Sequence, residues 1–340
     1  MTTLKFCEPD DIPSEFLEYN EKITQLEVGK TGKVGHLKLK LESDSKKNKT
    51  VVTDQYSQVP LYTQKALYYD EALPTMAHLF IMSPSGGVLQ GDRYRMDISL
   101  ANNAVSHITT QGATRIYKMN SNYATQLINI NVGKDCYLEF IPDQIIPYKN
   151  SRYYQKVLLN VDPSASLIYS EIIVPGRVAM GELFSYDICY LKTIGQSIEQ
   201  KIKFIDNCML KPKNQNMNTL GMFSNHTVLA SVYILTKNES VLILNKKMNT
   251  LGIFGKHTVL ASVYILAKKK YVHVLNQKIN SMLKNNDEIY GGSSILPDDS
   301  GLLVRMLCNS SELIKTEIYS IVRIARKEIL NANFTNIRKT

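Results

Sequence analysis

Alternation of apolar and polar side chains dominates the chain from residue 34 onward. In VGHLKLKLESD (34–44), Leu37, Leu39 and Leu41 alternate with Lys38, Lys40 and Glu42. In YRMDISL, Tyr94, Met96, Ile98 and Leu100 share one face and Arg95, Asp97 and Ser99 the other. A two-residue period places successive side chains on opposite faces, so both segments are predicted strands. Polar turns followed by apolar strands recur in LANNAVSHITT (100–110), VGKDCYLEFIP (132–142) and VDPSASLIYSEI (161–172). Their small residues Ala104, Cys136 and Ala165 lie 32 and 29 positions apart. That period near thirty is in the range of stacked β-coils or layered sheets.

A tandem duplication follows. MNTLGMFSNHTVLASVYIL, from Met217, recurs as MNTLGIFGKHTVLASVYIL from Met248, and 21 positions of the 31-residue unit (217–247 and 248–278) are identical. Each copy reads as a Gly/Phe turn and a long strand, and the unit is expected to add one β layer. The tail of copy one (ESVLILNKK) reads as strand and that of copy two (KYVHVLNQKINSML) as helix. Two short strands, GGSSIL and GLLVRML, lead to the clearest helix, Ser310 to Leu330. Asn309 and Glu312 fit a capping arrangement there. Leu313, Ile314, Ile318, Ile321, Val322, Ala325 and Ile329 form its apolar stripe, with Lys315, Arg323, Arg326 and Lys327 read as its solvated face. Residues 1–28 form an acidic lead-in, read as a short helix or a loose arm, before one β domain over 29–340.

The 340 residues are 44% hydrophobic, enough for a substantial core. No apolar run spans a bilayer and the start is acidic where a signal peptide is apolar, so a cytoplasmic protein is expected. Cys7, Cys136, Cys189, Cys208 and Cys308 show no CxxC pairing, which argues against a disulfide framework or a zinc site. The net charge of +9 would suit nucleic acid or an acidic partner surface, but its denser runs (43–50, 210–215, 266–271) read as solvated loop tips.

SPSGGVLQGD (83–92) is the most glycine-dense stretch. A phosphate-binding loop of the Walker type continues its last glycine with Lys and Ser or Thr. Here Gly91 precedes Asp92 and Arg93, and a strand follows where a helix N-terminus would hold an anion. Six scattered histidines (His36, His78, His107, His226, His257, His273) read as hydrogen-bonded structural groups. More telling are acidic residues inside apolar strands: Glu139 in CYLEFIP, and Glu171, which shares a face with Leu167, Tyr169 and Ile173. A buried carboxylate needs a partner, and Arg177, with Glu182 beside it, is the natural class. Such carboxylates read either as structural ion pairs or as oxygen ligands along a polar internal path for a divalent cation.

Five blocks together resemble the UreD (UreH) family of urease accessory proteins: MSPSGGVLQGD (82–92), TTQGATRIYK (109–118), LEFIPDQIIPY (138–148), PGRVAMGELF (175–184) and GLLVRML (301–307). They include Gly86, Gly87, Gly91, Asp92, Arg115, Tyr117, Pro142 and Arg177 as motif residues. The resemblance implies a mainly β fold with a layered, helicoidal, β-solenoid-like body, few helices and the C-terminal amphipathic helix. It also implies a non-catalytic scaffold that binds UreF, which recruits the GTPase UreG. The assembly, read as a dimeric complex, would dock on apo-urease to assist nickel insertion. No tightly bound cofactor is implied, only transient Ni2+ in an internal passage, for which Glu139, Glu171 and Glu182 are the candidates. Arg115 stands where the family often has Lys, and the tandem copy departs from the usual pattern. The alternative is a basic β-rich module for nucleic acid or an acidic surface.

Overall fold

A computed structural model of the chain describes residues 4–21, 32–196, 202–219, 223, 227–235, 259–266, 269–286, 288–295, 302–308 and 310–334. Two short helices, α1 (Leu4–Cys7) and α2 (Ser14–Leu17), precede the strands. These are β1 (Val34–Asp44), β2 (Lys49–Gln58), β3 (Tyr62–Thr63), β4 (Ala77–Met82), β5 (Arg93–Ala101), β6 (Val105–Thr110), β7 (Thr114–Ile116), β8 (Ala124–Val132) and β9 (Tyr137–Phe140). The chain continues through β10 (Ile145–Pro147), β11 (Arg152–Val161), β12 (Ser166–Ile173), a 3-10 turn at Val178–Met180, β13 (Ile188–Gln196), β14 (Ile202–Leu210), β15 (Val228–Leu235) and β16 (Val259–Leu266). Helix α3 (Lys269–Lys284), β17 (Tyr290–Ile295), β18 (Leu302–Cys308) and helix α4 (Ser311–Leu330) complete it.

The strands form two sheets, ordered β14-β13-β11-β8-β5-β1-β2 and β17-β18-β16-β15-β12-β9-β6-β4-β3. The chain alternates between them and climbs by one strand per circuit, a β-solenoid of about 4 turns. One ladder shows the climb: Val34 pairs with Arg93, Arg93 with Thr125, Thr125 with Tyr154 and Tyr154 with Tyr190, all in parallel. The period near thirty is this circuit. Ala104, Cys136 and Ala165 are buried at equivalent corners, where Tyr137 N donates to Ala104 O and Ser166 N to Cys136 O. A corner must reverse the chain within a few residues, which calls for positive φ. Asn102, Asn103, Asn122, Asp135 and Asn150 supply it, and Asn and Asp tolerate that region better than other side chains.

Parallel sheets are stable when both faces are covered. One core lies between the sheets and includes Leu37, Ile98, Ile130, Leu159 and Leu167. A second lies under α3 and α4 on the outer face of the second sheet, with Ile168, Val232, Leu275, Ile318 and Val322. β12 touches both, so all eight of its residues are buried. A third, smaller cluster holds down the lead-in: Phe16 is fully buried against the rings of Tyr123 and Tyr154. There Glu8 pairs with Arg93 at 2.8 Å and Asp11 with Lys192 at 2.6 Å. The acidic composition of residues 8–11 thus answers basic side chains of the first sheet.

Three expectations need correction. The cap of α4 is Ser310, whose side chain accepts from Leu313 N, whereas Asn309 lies outside the described residues. Arg326 is not on a solvated face: it is 1% exposed and pairs with Asp70 and Glu139. Arg177 pairs with Glu182 and not with a carboxylate of the strands. The second copy's tail is helical, in α3, as its sequence predicts. The tail of copy one, His226 and His257 lie outside the described residues. Strand β16, identical in sequence to β15, pairs with it in parallel and in register from Val228↔Val259 to Leu235↔Leu266. The copy therefore adds one strand to the second sheet. Among the described residues, no helix is long and apolar enough to cross a membrane.

Candidate functional site

The loop 83–92 closes around Asp92, which is completely buried. Its carboxylate accepts hydrogen bonds from Lys33 N (2.9 Å), Leu89 N (2.8 Å) and the Tyr94 hydroxyl (2.8 Å), and pairs with Lys33 Nζ at 2.9 Å. Asp92 is thus an internal anchor of the loop. Gly87 is required by contact: a Cβ there would come within 2.5 Å of the Tyr117 ring and 2.6 Å of the Arg115 carbonyl oxygen. The backbone passes close to Tyr117 and holds the loop to one side of an opening.

That opening leads to a cavity of about 240 Å³ between the two sheets. Gly86, Gly87, Arg115, Pro142 and Asp143 line its outer part, and Gln126, Gln155, Tyr169 and Glu171 its inner end. Alternation explains the inner end. Gln126 and Gln155 occupy core-facing positions of β8 and β11 and are register partners, so two amides meet where two aliphatic side chains would otherwise pack. The Tyr153 hydroxyl donates to Gln126 Oε1 at 2.7 Å.

Glu171 accepts from Gln155 Nε2 (2.9 Å) and the Tyr169 hydroxyl (2.8 Å) on one oxygen, and from the Thr193 hydroxyl (3.1 Å) on the other. The buried carboxylates Asp70, Asp92, Glu139 and Asp187 each have a cationic partner. Glu171 has none among the described residues. Burial pushes its carboxyl up to about 7, Asp206 adds to the rise, and the hydroxyl and amide donors pull it back. Beyond Glu171 a space of about 10 Å³, the size of one water, is lined by Asp206, Cys208, Ser231 and Tyr233. The Tyr233 hydroxyl donates to Asp206 Oδ2 at 2.8 Å. Glu171 therefore stands between that cavity and a small space, lined also by Ile173, Leu191 and Leu229, that reaches half-buried Asp206.

The other two candidate carboxylates lie elsewhere. Glu139 points to the opposite face of its strand, into the core under α4. It receives the Tyr137 hydroxyl at 2.7 Å, contacts His107 Nδ1 at 2.7 Å and lies 3.1 Å from Arg326 Nε, in ion-pair range but off hydrogen-bond alignment. Burial raises its carboxyl, but His107, Arg326 and Tyr137 outweigh that and hold it below the usual carboxylate range. His78 stacks on His107 at 5.5 Å, and burial lowers its imidazole to about 4. Glu182 lies at the surface, forked by Arg177 at 2.8 and 2.5 Å. Of the histidines, His36 contacts Asp97 at 2.8 Å. Among the described residues, no three His, Cys, Asp or Glu side chains converge as a metal site.

Gln126, Gln155, Thr193 and Asp206 were not apparent from the sequence. The available signal was a polar residue in core phase on adjacent strands: Gln155 keeps step with Tyr153, Val157 and Leu159.

The described residues form a two-sheet β-solenoid with a cavity that ends at a buried carboxylate. The model of the UreD urease accessory protein family matches residues 33–247. The chain is 39% identical over 315 residues to the urease accessory protein UreD of Cenarchaeum symbiosum (strain A), covering 93% of this chain and 99% of that protein. It is 33% identical to UreD 2 of Brucella canis (94% and 95% covered) and 31% identical to UreD of Yersinia pseudotuberculosis serotype O:1b (93% and 89%). The chain belongs to the UreD family of urease accessory proteins.

Proposed function

We propose that this chain is a non-catalytic cytoplasmic scaffold in urease maturation. It binds UreF, through which the GTPase UreG is recruited, and the assembly docks on apo-urease to deliver nickel. GTP hydrolysis belongs to UreG. Within this chain, Ni2+ is cargo that crosses the interior by the cavity, meeting Glu171 as its first buried carboxylate. The observation that carries this reading is Glu171 at the cavity's inner end, with no cationic partner among the described residues. One carboxylate that accepts from two hydroxyl groups and an amide N–H attracts a divalent cation yet supplies too few ligands to retain it. Asp206 is the next oxygen donor on the route. Glu139, neutralised by Arg326, and Glu182, neutralised by Arg177, serve structure in this reading.

The test is co-expression with cognate UreF, UreG and urease subunits, with nickel content and activity of the purified urease as readouts. Omitting this chain is expected to leave urease nickel-poor, and Glu171→Ala to lower nickel content several-fold while the complex still forms. Full nickel content without the chain would overturn the scaffold reading. Full content with Glu171→Ala would overturn the passage.

A further inference from the structure

The loop after β12 displays three apolar side chains to solvent within six residues: Val178 is 57% exposed, Met180 71% and Leu183 46%. Exposed apolar residues are common singly, but three on one short loop mark a contact surface, and methionine is enriched at interfaces. The loop is also rigidly built. Gly176 passes so close beneath Glu182 that a Cβ would stand 2.3 Å from its carbonyl oxygen. Phe184 N donates to Pro175 O at 2.8 Å and Glu182 N to Arg177 O at 3.2 Å. Arg177 is held by the Glu182 fork and lies 4.2 Å over the Tyr148 ring. A loop fixed in this way presents its apolar side chains with little ordering entropy left to lose on binding.

Two further features say what fits there. Tyr148 packs on Tyr117 at 5.0 Å, and Tyr117 packs on Gly87, so the loop and the cavity opening belong to one continuous surface. Arg115, Lys118 and Lys149 stand exposed along that surface, with no carboxylate in ion-pair range among the described residues. The apolar centre therefore has a basic rim, with the Glu182 carboxylate beside Lys149.

We infer that the surface formed by the 177–183 loop, Arg115, Lys118 and Lys149 is the docking face for a protein partner that presents an apolar patch bordered by carboxylates, and that docking places this partner over the cavity opening. The inference rests on the scaffold reading above. Its apolar centre would supply affinity and its basic rim orientation and association rate.

The test uses purified full-length chain and cognate UreF, with binding measured by calorimetry at low and high salt and oligomeric state by light scattering. Met180→Glu is expected to weaken binding at least tenfold, and Arg115→Glu to weaken it more at low than at high salt. Ile205→Glu, on the exposed side of β14, is the control for an apolar surface elsewhere and should bind as the wild type does. All three positions are solvent-exposed, so unchanged melting temperatures are expected and confirm folding. If the wild-type chain does not bind UreF, the scaffold reading fails. If it binds and Met180→Glu binds equally well, the docking face is overturned and the scaffold reading survives. Loss of a wild-type dimer on Met180→Glu, with UreF binding intact, would assign the face to a second copy of this chain and also overturn the inference.

Discussion

Glu171 shows how one side chain can answer two demands. A buried carboxylate is costly without a cation, yet under the proposed passage a resident cation would block the route. Tyr169, Thr193 and Gln155 supply hydrogen bonds in place of charge, and the remaining cost appears as a carboxyl raised from 4.5 to about 7. The sign of the pH effect follows. The unfolded chain releases this proton near 4.5 while the folded chain keeps it to about 7. The stability Glu171 contributes is therefore complete below 4.5 and is lost as pH rises through 7. The loss amounts to about 3 kcal/mol, at 1.36 kcal/mol for each pH unit of displacement. Glu171→Gln mimics the protonated acid and should not suffer it. In urea titrations, the stability of Glu171→Gln relative to wild type is expected to rise by about 3 kcal/mol between pH 4.5 and 8. A difference that stays constant across that range would show that the carboxylate is already ionised in the folded protein at pH 4.5. The strand alternation made Glu171 visible in the sequence, because it falls in phase with Leu167, Tyr169 and Ile173. The sequence could not show which of three carboxylates escapes neutralisation, since that depends on partners distant along the chain.

At the scale of elements, α4 shows where periodicity and charge conflict. Ile314, Ile318, Val322 and Arg326 form one i, i+4 row, and the row is buried throughout. Periodicity alone places Arg326 inside, whereas its charge suggests solvent. Burial wins because Asp70, 2.9 Å from Nη2, and Glu139 wait beneath the helix. Neither acid is near Arg326 in sequence, so the residue types in the helix carry no sign of them. Arg326→Met keeps much of the volume but leaves two buried carboxylates without their cation. Breaking a buried pair in this way costs about 3–5 kcal/mol. The variant is expected to lose that much in chemical denaturation, and adding Asp70→Asn and Glu139→Gln should recover more than half. A stability within about 0.5 kcal/mol of wild type for Arg326→Met alone, the ordinary range for a surface change, would show that the network does not anchor the helix.

At the scale of the whole molecule, the solenoid was legible because each circuit repeats the same local tasks: a small residue at a corner, Asn or Asp where φ turns positive, and an alternating strand. Strand direction in the second sheet was not legible, because identical segments say nothing about which neighbour each will pair with. The duplication exposes a consequence of that sheet's polarity. β12 runs antiparallel to β15, β15 parallel to β16, and β16 antiparallel to β18. A single VLASVYIL strand in place of two would still be antiparallel to β12 on one side and to β18 on the other. It would offer the same residues in the same phase, because β15 and β16 are identical and in register. Removing residues 217–247 joins Asn216 to Met248 and leaves one complete unit, 248–278, whose tail forms the first part of α3. The deletion variant is therefore expected to fold, with strand content and cooperative unfolding retained, and to bind UreF with unchanged affinity, since the 177–183 loop lies on circuits that precede the duplication. Circular dichroism, urea unfolding and calorimetry with UreF check each part. An insoluble or non-cooperative variant would mean that the two copies are not interchangeable. In that case β18 and the helices over the second sheet depend on the added strand for their place.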